Sequence, residues 1–251
     1  MTFLERYNSG ETIEVYQDIH LLGNKAFEEP YFKDVNDVLT ETCQRVRYNL
    51  DIIHQYLLSI GYKFWDNSEY TSYQPLVKPL NNCETLLAKL DKIVQPFGYV
   101  PLSLKMFYRL VGSCNFTWDY ETDEYLIWSY ADAIEVAALD DLIDINISEL
   151  DWVEEMKEKI ENEGKDTPMY LMFAPDFYHK DNVSGGGGYD IEVTKNPCID
   201  SRVVLGNIET TFINYLRMTF ENCGFLRIAY PEHENDYQDL FEKVKPLLKK
   251  I

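Results

Sequence analysis

The chain has 251 residues, of which 45% are hydrophobic and 14% aromatic. A disordered chain is poor in such residues, so this composition predicts a folded protein with a substantial core. The 43 Asp and Glu residues against 23 Lys and Arg give a net charge of −20, a field that repels phosphates and so argues against nucleic acid and anionic membranes as partners. The same field attracts basic proteins, although a solvated acidic surface without a partner also explains the charges.

The five cysteines are odd in number, widely spaced and without a C-x-x-C pair. This pattern indicates reduced, mostly buried thiols and argues against a disulfide framework or a zinc site. The N-terminus lacks a basic segment followed by an apolar one, and no apolar run approaches the roughly 20 residues of a membrane helix. We therefore expect a cytoplasmic protein with neither a signal peptide nor a membrane span.

The N-terminal part of the chain is predicted to be mainly helical. Residues 1–30 have weak periodicity, with some strand character at 12–19. Apolar spacings of three, four and seven then predict a long helix over Val35–Ile60, which Asp34 can cap and Gly61 can end. After an aromatic-rich connector, two more amphipathic helices are predicted at Cys83–Val94 and 100–112.

The second half of the chain mixes strand and helix patterns. Alternation over Cys114–Trp118 and Tyr125–Tyr130 predicts a β-hairpin closed by an acidic turn. Ser148 is expected to cap a helix that ends before Gly164. Strands are also predicted at Met169–Ala174, Tyr189–Val193 and Arg202–Leu205, and helices from Thr210 or Thr211 to Gly224 and over Asp236–Lys249.

These elements predict an α+β fold, with a single mixed or antiparallel sheet flanked by helices and a helical N-terminal extension. The sequence has no internal repeat and no low-complexity linker, which favours one domain over residues 1–251. The mainly helical residues 1–98 are an alternative subdomain, with a boundary that the sequence does not define.

The glycine run at positions 185–188 is the first candidate for chemistry, because its backbone amides could hold a phosphate. A phosphate loop, however, follows a strand and opens a helix with a lysine and a hydroxyl residue. Here the glycines precede a predicted strand and no lysine follows them. A turn or bulge that needs positive φ or a close backbone approach explains them better.

His179 lies close in sequence to Asp176, Asp181 and Ser184, a combination that invites acid–base or triad chemistry. The spacing matches neither a metal-ligand motif nor a nucleophile elbow. We therefore expect no catalytic, cofactor-binding or metal-binding residues. The alternative is a small-molecule or nucleotide-dependent hydrolase that uses the His179–Gly188 loop.

The acidic turn of the predicted hairpin resembles a Ca²⁺ loop but lacks the glycine that such a loop needs. Its carboxylates alternate with aromatic residues, which is typical of an interface with aromatic anchors and a charged rim. A second acidic stretch begins at 140. The predicted partner-binding residues are Trp118, Asp119, Tyr120, Glu121, Asp123, Glu124, Tyr125, Trp128, Asp140 and Asp141.

Several segments after residue 99 resemble the SUKH superfamily, named for its Syd, herpesvirus and yeast cell-wall-regulator relatives. VPLSLKMFYRLVG (100–112) is similar to a helix of that family that a Leu-Pro pair opens and a glycine ends. SYADAIEVAALDDLID (129–144) is similar to the family's strand and following leucine–aspartate helix. SGGGGYDIEV (184–193) and TTFINYLRMTFENCGF (210–225) are similar to its glycine-led block and closing helix.

The resemblance implies an α+β fold with a mixed sheet and no family-wide catalytic centre. Many bacterial relatives are immunity proteins that bind and neutralise a cognate toxin, often a nuclease. A strongly acidic chain suits a basic nuclease domain. We therefore expect a non-enzymatic protein-binding module whose partner is a basic protein such as a toxin domain.

Overall fold

The structure, a computed structural model, describes residues 1–121, 126–129, 131–228 and 237–251, and at Leu126 and Glu149 it describes the backbone only. Within these ranges the chain combines helices with two small antiparallel sheets. The predicted α+β class is therefore confirmed, with two sheets where a single sheet was expected.

The N-terminal region forms the helices α1 (Phe3–Asn8), α2 (Thr12–Leu22) and α3 (Tyr31–Ser59). The strand character predicted at 12–19 was wrong. Val15, Tyr16 and Ile19 lie on one buried face of α2, a spacing that fits a helix and not a strand.

Helix α3 confirms the long amphipathic helix, and its apolar stripe from Val35 to Leu57 is buried. Asp34 was expected to cap this helix but lies inside its first turn. The Asp34 carboxylate instead accepts hydrogen bonds from the backbone amides of Phe3 and Leu4, at 2.6 and 3.1 Å. It therefore satisfies amides at the start of α1, in the neighbouring helix.

Helices α4 (Cys83–Val94) and α5 (Leu102–Leu110) confirm the two further helices. The chain leaves α5 through Gly112, which has a φ of +100°. A Cβ at this position would lie 2.0 Å from the carbonyl oxygen of Val77. Only glycine fits here, because the backbone of residues 77–79 passes directly over it.

The first sheet consists of three short strands in the order β1 (Leu76–Val77), β2 (Ser113–Asn115) and β3 (Glu135–Val136). The predicted hairpin was wrong in its pairing, because the neighbours of β2 are distant in sequence. Leu126–Trp128 form a 3₁₀ turn, and the Trp128 ring packs on Tyr62 and Phe225. Residues 122–125 and 130 of the predicted hairpin lie outside the described residues.

After β3 the chain forms α6 (Leu139–Asp141), a π-helical segment (Leu142–Glu149) and α7 (Trp152–Glu163). Ser148, the predicted cap, lies within the π-helical segment, where its hydroxyl donates to the carbonyl of Ile143 at 2.9 Å. The break before α7 falls at Asp151, which has a left-handed φ of +50°. The predicted helix therefore exists but begins later.

The second sheet has four strands in sequence order, namely β4 (Met169–Pro175), β5 (Gly188–Val193), β6 (Arg202–Leu205) and β7 (Ile208–Thr211), with the short helix α8 (Phe177–Lys180) after β4. A bulge between Met172 and Ala174 leaves Phe173 without a partner in β5. The carbonyl of Phe173 accepts a hydrogen bond from the amide of Ala137 at 2.9 Å. This bond joins the end of β3 to β4, so the two sheets adjoin.

The last helices are α9 (Phe212–Glu221) and α10 (Gln238–Val244). Of the two predicted caps, Thr210 and Thr211, it is Thr211 that caps α9, by accepting a hydrogen bond from the amide of Asn214. A continuous hydrophobic cluster includes α2, α3, α5, α9 and both sheets, so the N-terminal helices share their core with the rest of the fold. In the ranges given above, no helix combines the length and apolarity needed to cross a membrane.

Candidate functional site

A cleft of about 430 Å³ opens between the first sheet, the end of β4, α8 and the π-helical segment. Its volume lies within the range of about 300–1,000 Å³ that is typical of small-ligand pockets. We call it the cleft, and the residues that line it are Trp65, Asn67, Ser72, Tyr73, Asn115, Thr117, Tyr120, Glu135, Ala137, Asp141, Ile145, Asn146, Leu150, Met172, Ala174, Pro175, His179, Lys180, Asn182 and Gly187.

The floor of the cleft is the polar face of the first sheet. Asn115 in β2 pairs directly with Glu135 in β3, so their side chains lie on the same face, and Thr117 follows two residues after Asn115. The alternate residues Phe116 and Val136 are fully buried in the core on the other face. The alternation therefore places three polar side chains together, each no more than 4% exposed.

Glu135 is the unusual member of this floor. Burial raises the pKa of its carboxyl to about 7, although the ammonium of Lys180 and the hydroxyl of Thr117 favour the ionised form. Within the described part of the chain, its carboxylate accepts one hydrogen bond, a long one of 3.4 Å from Thr117 Oγ1. A buried, weakly bonded acid with a perturbed pKa at the bottom of a cleft is typical of a functional site.

One wall of the cleft is α8, which a buried ion pair fixes to the segment just before β3. Lys180 Nζ donates to Asp132 Oδ1 and to the carbonyl of Ala133, both at 2.8 Å, and the pair is at most 3% exposed. The hydroxyl of Tyr189 donates to the other carboxylate oxygen of Asp132 at 2.5 Å. Asp132 itself has a left-handed φ of +58°, which a residue of this type tolerates better than most.

The glycine run completes this wall and forms a turn that enters β5. The Asp176 carboxylate accepts from the amides of His179 and Gly187, at 3.0 and 2.8 Å, and His179 Nδ1 donates to the carbonyl of Gly187 at 2.8 Å. A Cβ at Gly186 would lie 2.4 Å from Asp176 Oδ1. The interpretation of these glycines as a turn with close backbone approach is confirmed at this position.

The opposite wall is held by Asp141 and Asn146. The Asp141 carboxylate accepts from the backbone amide and the hydroxyl of Ser72, and Asn146 Nδ2 donates to the carbonyl of Met172 at 3.0 Å. At the mouth, Trp65 and Tyr120 stack with their ring centroids 4.7 Å apart and an interplanar angle of 17°. The cleft thus has a polar floor, hydrogen-bonded walls and an aromatic mouth.

The structure distributes the predicted partner-binding residues over several environments. Trp118 and Trp128 are core residues, 5% and 7% exposed, and Trp118 Nε1 donates to Asp181 Oδ1 at 2.9 Å. Asp141 and Tyr120 line the cleft, and Asp140 accepts a long bond from Thr71 beside it. Asp119 and Glu121 flank Tyr120 just before residue 122, where Asp119 is half-buried and Glu121 is exposed. Asp123, Glu124 and Tyr125 lie outside the described residues.

The residues proposed for the alternative hydrolase are only partly brought together. His179 lines the cleft, whereas the exposed Ser184 does not. Among the residues that the structure describes, no group of three or more His, Cys, Asp or Glu side chains could hold a metal ion. The acid that lies at the floor is Glu135, and the sequence prediction did not single it out.

The signal that could have identified the floor was present in the alternation of β2 and β3. In Cys114–Trp118 every second residue is polar, and in 134–136 a glutamate stands between isoleucine and valine. Burying a polar side chain costs free energy unless the side chain forms hydrogen bonds, so a row of buried polar residues along one face of a strand indicates a site. The alternation alone does not show whether these positions face a cleft or water. That depends on the pairing of β2 with β3, in which residue 115 lies opposite residue 135.

A second groove, of about 510 Å³, lies between α2, α9 and residues 245–251. Its most buried charged group, Arg217, donates to the carbonyls of Thr12 and Ile251, both at 2.8 Å. Because the Arg217 guanidinium is hydrogen-bonded to two chain segments, the groove has no counterpart of the weakly hydrogen-bonded Glu135 carboxylate among its described residues. The cleft is therefore the candidate site.

Comparisons with known proteins add no relative to this description, since no family model, no curated protein and no solved structure matches the chain.

Proposed function

We propose that this chain is a protein-binding module of the SUKH type, an immunity or regulatory protein whose cleft receives part of a basic protein partner. The observation that carries the proposal is the weakly bonded Glu135 carboxylate at the floor of a cleft with an aromatic mouth. The residues that contribute most to the affinity of protein interfaces are enriched in aromatic residues and arginine. A buried carboxylate can pair with an arginine of the partner.

The net charge of −20 supports a basic partner. It speeds the encounter with a positively charged domain and disfavours phosphate-bearing ligands. A toxin domain that acts on nucleic acid presents such a basic surface, and an acidic inhibitor bound there blocks access of the substrate.

The proposal predicts salt-sensitive binding to one or more basic domains. We expect that a panel of basic protein domains, nuclease toxin domains included, contains a partner whose affinity for this chain falls about tenfold or more from low to high salt. Titration calorimetry at the two salt concentrations measures this directly. A panel with no binder, or a binder insensitive to salt, would count against the proposal.

A second candidate function is acid–base chemistry on a small molecule in the cleft, including the hydrolase that uses the His179–Gly188 loop. The observation that favours it is the pKa of Glu135, which burial raises to about 7, near the optimum for a general base at neutral pH. Turnover that is lost in His179→Ala and retained in Tyr178→Ala, its exposed neighbour on α8, would support this function over the first.

A further inference from the structure

We infer that the floor of the cleft is a subsite for a guanidinium group, presented by an arginine side chain of the protein partner. This inference rests on the proposed function and names the chemistry of the group that enters the cleft. Its foundation is Glu135, a carboxylate 3% exposed that lines the cleft and whose hydrogen bond from Thr117 is 3.4 Å long.

The other ionisable groups around Glu135 already have close hydrogen-bond partners, so the weakly bonded Glu135 carboxylate decides the sign of the ligand. Lys180 is engaged by Asp132 and the carbonyl of Ala133. Asp141 accepts from the amide and hydroxyl of Ser72, and His179 Nδ1 donates to a backbone carbonyl. The ionised Glu135 therefore adds a negative charge that an incoming cation can neutralise with charge-assisted hydrogen bonds.

The cleft favours a guanidinium over an ammonium for two reasons. A guanidinium is planar and stacks on aromatic rings. The mouth of the cleft carries the stacked pair of Trp65 and Tyr120, and Tyr73 also lines the cleft. The guanidinium is also the more weakly hydrated of the two cations, so its transfer to a buried carboxylate costs less. The cleft volume of about 430 Å³ accommodates the long side chain that carries the group.

The test uses the full chain and small probes without any partner. The probes are N-acetylarginine amide, the citrulline analogue as a neutral isostere, and the lysine analogue. Binding is followed by amide chemical shifts at pH 8, above the pKa of about 7 to which burial raises the Glu135 carboxyl. We expect the arginine probe to shift the amides of 115–117 and 135–137 and to bind about tenfold or more tightly than the citrulline probe, with the lysine probe between them.

Two variants locate the interaction. Glu135→Gln should lose the preference for arginine, whereas Glu158→Gln, an exposed glutamate on α7, should retain it. Equal binding of arginine and citrulline, or an undiminished arginine preference in Glu135→Gln, would overturn the subsite. So would arginine-induced shifts confined to surfaces away from the cleft.

The failures of the two proposals are distinguishable. Specific binding of the arginine probe by a chain that captures no basic domain contradicts the proposed function and leaves the subsite standing as a site for a small guanidinium ligand. Capture of a basic domain that Glu135→Gln does not weaken contradicts the subsite and leaves the proposed function standing.

Discussion

Replacing Lys180 by methionine is expected to lower the free energy of unfolding by about 3–5 kcal/mol, because the change leaves the Asp132 carboxylate buried and without its cation. The loss should also release α8 from the segment just before β3 and so disturb one wall of the cleft. Chemical denaturation of the variant measures the first effect.

The double variant Asp132→Asn, Lys180→Met separates the charge from the packing. Asparagine tolerates the left-handed φ of residue 132 and can still accept from Tyr189, so most of the lost stability should return. As a matched control, Lys195→Met removes a lysine that pairs with Asp166 at the surface, and we expect it to leave the denaturation midpoint nearly unchanged. A single variant at Lys180 as stable as this control would show that the buried pair contributes little.

Replacing Glu135 by glutamine is expected to stabilise the protein increasingly as the pH rises. Burial raises the pKa of this carboxyl from 4.5 to about 7, so between these values the folded state binds more protons than the unfolded state. The contribution of Glu135 to the free energy of unfolding therefore falls as the pH rises through that window, by about 2–3 kcal/mol between pH 5 and pH 8. Glutamine does not titrate and removes this loss.

The comparison needs only the difference in the free energy of unfolding between variant and wild type at each pH. Other carboxyls whose pKa is raised by partial burial, such as those of Asp190 and Asp200, contribute equally to both proteins. The stability of Glu135→Gln relative to wild type should increase from pH 5 to pH 8, whereas that of Glu158→Gln should change little. A difference that does not vary with pH would mean that Glu135 titrates as it does in the unfolded chain. The presence of a residue that destabilises the fold at neutral pH is explained by function and not by stability.

Much of the secondary structure could be predicted because it rests on local periodicity. The helix Cys83–Val94 and the strand over Met169–Ala174 follow directly from the apolar pattern. A strand of two residues, such as β1, has no period to detect. The error at 126–128 arose because an apolar run that ends in a tryptophan also suits a turn that packs this ring into the core.

The candidate site was less predictable because it depends on contacts between distant segments. Lys180 is buried because Asp132, 48 residues earlier, receives its ammonium, and nothing in the local sequence distinguishes it from a surface lysine. Trp118 and Trp128 were predicted as interface anchors from composition alone, but the fold uses both rings in its interior. The prediction of a turn at the glycine run was confirmed. The absence of a lysine after the glycines, which argues against a phosphate loop, can be read directly from the local sequence.

The most direct test of the account compares wild type, Glu135→Gln and Glu158→Gln side by side for binding to the panel of basic domains at pH 8. We predict a domain that binds wild type and Glu158→Gln alike and binds Glu135→Gln about tenfold or more weakly, since the last variant lacks the charge at the floor of the cleft. A panel in which every binder treats wild type and Glu135→Gln equally would contradict the guanidinium subsite, and a panel in which none binds would contradict the proposed function.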